Sequence, residues 1–505
     1  MVDCRRQRLQ NGNMKLFAPF AVCAALLIAV TSLAQDTPVQ RASRLEVEGR
    51  LQQAAGVLTN ALADKSLAPA ARRELEFELD RLDRIRKDYK LTKEALFKEL
   101  KESVKDVTVE EFERWIAQGR FDVRELDGEQ RFMNSSVSNL YFRYAELESR
   151  RLKPKHPEEF EKALLAACQA IQQAALAEKK PYVLPKRFHN TMTVKVKADA
   201  APAGQTIRAW LPIPRHYPFQ TDFQLRSASP PTSEINSRDS VIRAAYLEKS
   251  ARKGKPTEFK LEYDYTAWGV KFDVKPEDMR RCDPNDPALA PFLREGPHVV
   301  FTPEIRALSA EIVGAETNDF RKAKKCYDWI ADQIKYSFAT EYSTIRNISD
   351  YCLAKRYGDC GQEALLFITL CRLNGIPARW QSGWSTFPGG RTIHDWTEIY
   401  LAPYGWMPVD PYMGIWAMRY ARTLTPEQQR QVRDFYFGGL DQWRMIANGD
   451  HSQELSPPKR GLRSDTVDFQ RGELEWDGHN IYFDKYSYDL EVKEVKLPKQ
   501  DGRIE

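Results

Sequence analysis

The sequence predicts an α+β protein, and three observations carry that prediction. Residues 41 to about 180 repeat apolar side chains at three- and four-residue spacing, the period of an amphipathic helix. Near Lys186 the period changes to short alternating segments divided by Pro, Gly, Ser and Asn. Beyond about residue 286 a helix apolar nearly all round is followed by three strands.

Residues 1–34 read as an export signal. "MKLFAPFAVCAALLIAVTSLAQD" joins a lysine, an apolar core from Leu16 to Val30, and small residues at Ser32 and Ala34. That core is shorter than the roughly 20 residues a membrane span needs, and no later stretch is long and apolar enough. The protein is therefore expected to be exported, to the periplasm, the cell surface or the medium, with no integral span once the signal is removed.

Residues 35–185 are expected to form a helical module. "RASRLEVEGRLQQAAGVLTNALADK" and "AARRELEFELDRLDRIRKDY" are rich in Leu, Ala, Glu and Arg, and "TVEEFERWIAQG" has a Thr cap and a Gly stop. Nothing in the module suggests chemistry, and its expected role is packing or partner contact. Residues 186–285 hold "TMTVKVKADA", "TIRAWLPIPR", "FQLRSAS", "SVIRAAYLE" and "EFKLEYDYTAW", which suggest a β-sandwich. Residues 286–420 form the mixed region. In it "NDFRKAKKCYDWIADQIKYSF" is an amphipathic helix, Gly361 to Leu373 is a buried one, and "ARWQSGWST", "HDWTEIYLA" and "GWMPVDPY" are strands. Residues 421–505 read as a helix and a β extension.

Composition narrows the function. The net charge of +5 falls to +2 without the first 34 residues, and no basic stripe interleaved with aromatics is present, which argues against nucleic acid. Beyond the signal lie six cysteines (168, 282, 326, 352, 360 and 371) with no C-x-x-C pair, so neither a disulfide scaffold nor a zinc knuckle is indicated. His451 and His479 have no Cys or His at ligand spacing, and no Asp-rich calcium loop is seen. No metal or cofactor is predicted.

One constellation could carry chemistry. In "YGDCGQEALLF" Cys360 sits where a loop becomes the buried helix, with Asp359 as a candidate cap and Gly358 and Gly361 beside it. Unpaired N–H groups at a helix start favour a thiolate. A thiol nucleophile also needs a base held by a third group. His394 opens a strand 34 residues after Cys360, and Asp410 ends the next strand 16 residues later. A hairpin turned at residues 402–405 would fold Asp410 back opposite, or one diagonal from, His394.

"GDCGQEALLFITLCRLNGIPARWQSGW", "HDWTEIYL" and "GWMPVDP", in that order over roughly residues 300–420, resemble the core of the transglutaminase-like superfamily. The resemblance implies a papain-like Cys-His-Asp fold, with Cys360 as nucleophile, His394 as general base and then acid, and Asp410 as orienting carboxylate. The "AWLPIPR" sandwich resembles the β-domain that often precedes this core. The Cys360 N–H should be one oxyanion donor. No upstream Gln or Trp matches the second donor known in related enzymes, which leaves Tyr336, Tyr342 or Tyr357. Trp396 and Trp406 are expected to wall the cleft, and Glu398 to be structural.

The expected function is a secreted thiol enzyme acting on amide bonds of protein or peptide substrates through a Cys thioester. Hydrolysis, as peptidase or amidase, is favoured because water needs no second substrate site. The alternatives are protein-glutamine transamidation and a non-catalytic extracellular binding or assembly protein.

Overall fold

The computed structural model describes residues 36–153 and 157–497. The expected signal at 1–34 lies outside the described residues. Among them, no helix is long and apolar enough to cross a membrane.

The N-terminal helices form two small cores. Pro38–Val47, Leu51–Leu62 and Pro69–Asp88 close around Leu51, Leu58, Leu82 and Ile85. Lys93–Ser103, Val109–Ala117 and Ser136–Arg143 close around Phe112, Phe132 and Leu140. Threonine caps start several of them: Thr37, Thr92 and Thr108 each accept a backbone N–H of the following turn.

The module also contains a β-hairpin, which the helical reading overlooked. Val123–Leu126 pairs with Glu129–Phe132. Asp127 and Gly128 turn it with φ of 54° and 87°, the left-handed pair that an Asp-Gly hairpin turn needs. Strands of four residues are too short to display a period. A second difference is the helix Glu158–Glu178, which buries Leu164, Leu165, Cys168 and Ile171 against Phe387, Met413 and Phe435 of the later chain.

Two five-stranded sheets among the described residues face each other as a sandwich. In one, Tyr182–Val196 lies between Thr257–Lys271 and Tyr486–Val495. In the other, Thr206–Pro212 lies between Ala244–Ser250 and Glu473–Trp476. Val194, Phe259 and Leu261 meet Leu211, Leu247 and Leu474 in the shared core. The strands after residue 470 therefore belong to the sandwich; pairing between segments nearly 300 positions apart leaves no local signature.

The third region holds a four-stranded sheet in the order Gly405–Val409, Thr392–Leu401, Ala378–Ser385, Arg444–Asn448. Against it lies the helix Cys360–Leu373, buried from Gly361 to Arg372. Each fully buried Leu, Ile or Phe of such a helix contributes about 1.5–3 kcal/mol. Gly383 admits the edge strand: a Cβ there would overlap the Met445 carbonyl, and the register shifts at that point.

The N-terminal module grips this region through buried polar contacts. The fully buried Arg84 donates to Glu341 (3.2 Å), Ser343 Oγ (3.0 Å), the Ser464 carbonyl (2.8 Å) and the Arg463 carbonyl (2.6 Å). Asn139 exchanges two hydrogen bonds with the Phe338 backbone, and the Glu341 N–H donates to Asp88 at 2.7 Å. The segment held this way, 337–343, runs beside Cys360.

Candidate active site

Cys360 is the first residue of its helix and Asp359 is the N-cap. Asp359 Oδ1 accepts the Gln362 N–H at 3.1 Å, and Gln362 Oε1 accepts the Asp359 N–H at 3.2 Å. This reciprocal capping box fixes where the helix begins and thus where the thiol stands. Gly361 lets the cleft wall close in, since a Cβ there would overlap the Tyr342 hydroxyl and lie 2.9 Å from both Asp395 Oδ2 and the Trp380 ring.

His394 and Asp410 meet as the hairpin geometry predicts. Thr397 pairs with Val409, so Asp410 falls one diagonal from His394, and Asp410 Oδ2 accepts His394 Nε2–H at 2.8 Å. Asp410 is also an N-cap, accepting the Met413 N–H at 3.1 Å. A third contact comes from Arg444, whose Nη1 donates to Asp410 at 2.9 Å while its Nε donates to Asp441 at 3.0 Å. Burial opposes the charge on Asp410, but His394 and Arg444 outweigh it and hold the carboxyl below its ordinary range. Burial lowers the His394 pKa more than Asp410 raises it, so the imidazole is neutral near pH 7. Nδ1, the nitrogen Asp410 leaves free, makes no hydrogen bond among the described residues.

The thiol is placed differently from the expected hydrogen-bonded line. Cys360 Sγ donates to Asp395 Oδ2 at 3.5 Å, and among the described residues no hydrogen bond joins it to His394. Burial, then the carboxyls of Asp395 and Asp359, push the thiol pKa well above its ordinary value. At this helix start, burial and then those two carboxyls favour the neutral thiol. Cys360 is partly exposed, whereas Cys168, Cys326, Cys352 and Cys371 are buried, and all six described cysteines are free.

The three candidate oxyanion tyrosines separate. Tyr357 donates to Asp122 at 2.6 Å beneath the Arg143 guanidinium. Tyr342 donates to Asp359 at 2.6 Å. Tyr336 lines the cleft with Cys360, and its hydroxyl makes no hydrogen bond among the described residues. Neither expected tryptophan walls that cleft. Trp396 is fully buried and donates to Gln381 at 2.6 Å; Trp406 packs under Arg379, 4.1 Å away, and against Phe292. Glu398 pairs with Arg379 at 2.7 Å.

Sequence reasoning missed Asp395, Arg444 and the wall contributed by Asp465, Asp468, Gln470 and Arg471. It also missed Glu363, three residues after Cys360. Glu363 is fully buried, and neither of its carboxyl oxygens has a hydrogen-bond partner among the described residues. Burial, then Asp359 and Asp410, raise its pKa well above the ordinary value. An acid whose pKa rises on folding contributes fully below its unfolded pKa of about 4.3, and that contribution is lost as pH rises towards the folded value. Glu363→Gln is therefore expected to gain stability over the parent as pH rises from about 5 to 7, by up to about 1.4 kcal/mol per pH unit, in urea titrations at several pH values. A pH-independent difference would show that Glu363 ionises freely in the fold.

Residues 306–411, which contain Cys360, His394 and Asp410, match the model of the transglutaminase-like superfamily. The chain carries a transglutaminase-like domain. It is 26% identical over 129 residues to the uncharacterised protein YebA of Bacillus subtilis (strain 168), a match covering 22% of this chain and 17% of that protein. The chain thus spans about a sixth of that relative. Among solved structures, a provisionally named cysteine protease from Cytophaga hutchinsonii aligns at 16% identity and TM-score 0.41, over 64% of this chain and 96% of that one. The periplasmic domain of TgpA from Pseudomonas aeruginosa aligns at 17% identity and TM-score 0.26, over 48% and 92% respectively. Likeness at that level does not identify a reaction.

Proposed function

We propose that the chain is an exported thiol enzyme that opens amide bonds of protein or peptide substrates through a thioester on Cys360, and that water completes the cycle. The observation that carries this reading is the buried His394–Asp410 pair, at 2.8 Å and anchored by Arg444, in the same domain as a partly exposed helix-start thiol. Export rests on the signal-like residues 1–34.

In this reading His394 Nδ1 takes the Sγ proton, and the sulfur attacks the substrate carbonyl carbon. The oxyanion meets the Cys360 N–H and the Tyr336 hydroxyl. Collapse expels the amine, which takes the proton from the imidazolium, and leaves the thioester. Water, deprotonated by His394, then releases the acid. The thiol faces Asp395 in the structure, so this reading requires a rearrangement on substrate binding that brings sulfur and imidazole together.

The test is a digest of a peptide library by the parent protein and by Cys360→Ala, with a labelled amine in a parallel sample. New termini from the parent alone support hydrolysis. Amine incorporation without new acid groups would replace hydrolysis by transamidation. No product with the parent, together with iodoacetamide labelling of Cys360 no faster than that of other thiols, would make the fold a binding scaffold.

A further inference from the structure

The cleft at Cys360 encloses about 310 Å³. Six carboxyl groups line it, from Asp88, Glu341, Asp359, Asp395, Asp465 and Asp468, against the single guanidinium of Arg471. Most have donors. Glu341 takes Arg84, Asp88 takes the Glu341 N–H, and Asp359 takes Tyr342 and the Gln362 N–H. Asp465 takes two backbone N–H groups and, at 3.5 Å, Arg471. Arg471 itself lies over the Phe483 ring, 4.0 Å from its centre.

Two carboxyls are left short. Asp395 receives Gln470 on Oδ1 at 2.7 Å but only the weakly donating thiol on Oδ2. Asp468 is 3% exposed and lines the cleft; its carboxyl meets that of Asp465, and burial, then Asp465 and Asp395, push its pKa well above the ordinary value, while its Oδ1 has no hydrogen-bond partner among the described residues. A buried polar oxygen without a donor is costly, and a buried carboxylate more so. Among the described residues no group of three or more His, Cys, Asp or Glu side chains could hold a metal ion, so the missing donor is sought in an organic cation.

We propose that Asp468 and Asp395 form a subsite beside Cys360 for a cationic group, ammonium or guanidinium, carried by the substrate. This deepens the reading of Cys360 as nucleophile and rests on it for the word substrate. The cation anchors and does not react: an attacking amine must be neutral, whereas a carboxylate pocket favours its protonated form. Seating the cation has a second effect. Burial, then the carboxyls of Asp395 and Asp359, keep the thiol protonated, and a positive charge seated beside those carboxyls offsets their part of that influence. The Sγ proton then passes more readily to His394, so cationic substrates gain in kcat as well as KM.

The test uses two probes of nearly equal shape, Nα-acetyl-argininamide and its neutral citrulline counterpart, titrated calorimetrically into the full-length Cys360→Ala protein. The arginine probe is expected to bind at least about tenfold more tightly, a difference of about 1.4 kcal/mol. That preference should vanish in Cys360→Ala carrying Asp468→Asn, whose urea midpoint reports that it remains folded. Equal affinities, no binding of either probe, or a preference that survives Asp468→Asn would overturn the subsite. If the Asn variant fails to fold, the comparison of the two probes on the parent variant still decides. Argininamide preference without peptide cleavage would remove the catalytic reading alone; cleavage indifferent to cationic residues would remove the subsite alone.

Discussion

On the proposed mechanism, Asp410→Asn is expected to lower kcat/KM by about 10⁴-fold while the chain stays folded, the size of loss found when the orienting carboxylate of a Ser-His-Asp triad becomes an amide. In the proposed mechanism Asp410 does two jobs for His394. By accepting Nε2–H at 2.8 Å it places the lone pair on Nδ1, and by staying anionic it stabilises the imidazolium formed when the thiol gives up its proton. An asparagine keeps the helix cap to Met413 but lacks the charge, and its NH2 can face the ring and select the wrong tautomer. Arg444 retains Asp441 at 3.0 Å, so the substitution does not leave a wholly unpaired buried cation. Two measurements check it: turnover of a peptide identified by the digest, and the pH dependence of Cys360 alkylation, which needs no substrate. The lowered His394 pKa keeps the base neutral down to about pH 6.5 or below, so the parent's acid limb should lie under that value. Activity within about tenfold of the parent would show that Asp410 caps a helix and does nothing to the imidazole.

Arg84→Ala is expected to destabilise the protein by about 3–5 kcal/mol, the usual result of removing one partner from a buried ion pair. The Arg84 side chain has 0% exposure and an ion pair with Asp80 at 2.6 Å, besides its contacts to Glu341, Ser343 and two carbonyls of the 463–464 segment. Truncation leaves those acceptors buried without their donor. Glu341, already pushed up to about 7 by burial despite the pull of Arg84, would take up a proton. Arg84→Lys should rescue little, because one ammonium cannot reach acceptors spread around a planar guanidinium. Urea unfolding gives the energy, and limited proteolysis near residues 337–343 reports whether the module has let go. A loss under about 1 kcal/mol would mean that the docking interface is held by other contacts.

How much of this was legible follows the distance over which each contact acts. The cap at Asp359 could be read because its partner, Gln362, is three positions away. The His394–Asp410 contact could be read because a short turn fixes the register of the two strands. Asp395 stood in a quoted motif and was still missed. Alternation sends its side chain away from that of His394, and only the placement of the Cys360 helix shows that the thiol meets it. Arg444 arrives on an edge strand admitted by Gly383, through a bulge no period reveals. Arg84 lies in a helix whose pattern predicts a solvated charge, yet it is buried because acceptors from more than 250 positions along the chain surround it.

The cleft's walls are made at well-separated times during synthesis of the chain. Asp88 and Ser135 emerge early, Tyr336 to Cys360 midway, and Asp465 to Phe483 near the end. A nascent chain that has passed Asp410 already owns the sulfur, imidazole and carboxylate, yet the pocket beside them has one side open to water. The cleft is therefore completed only after translation has moved beyond the last wall.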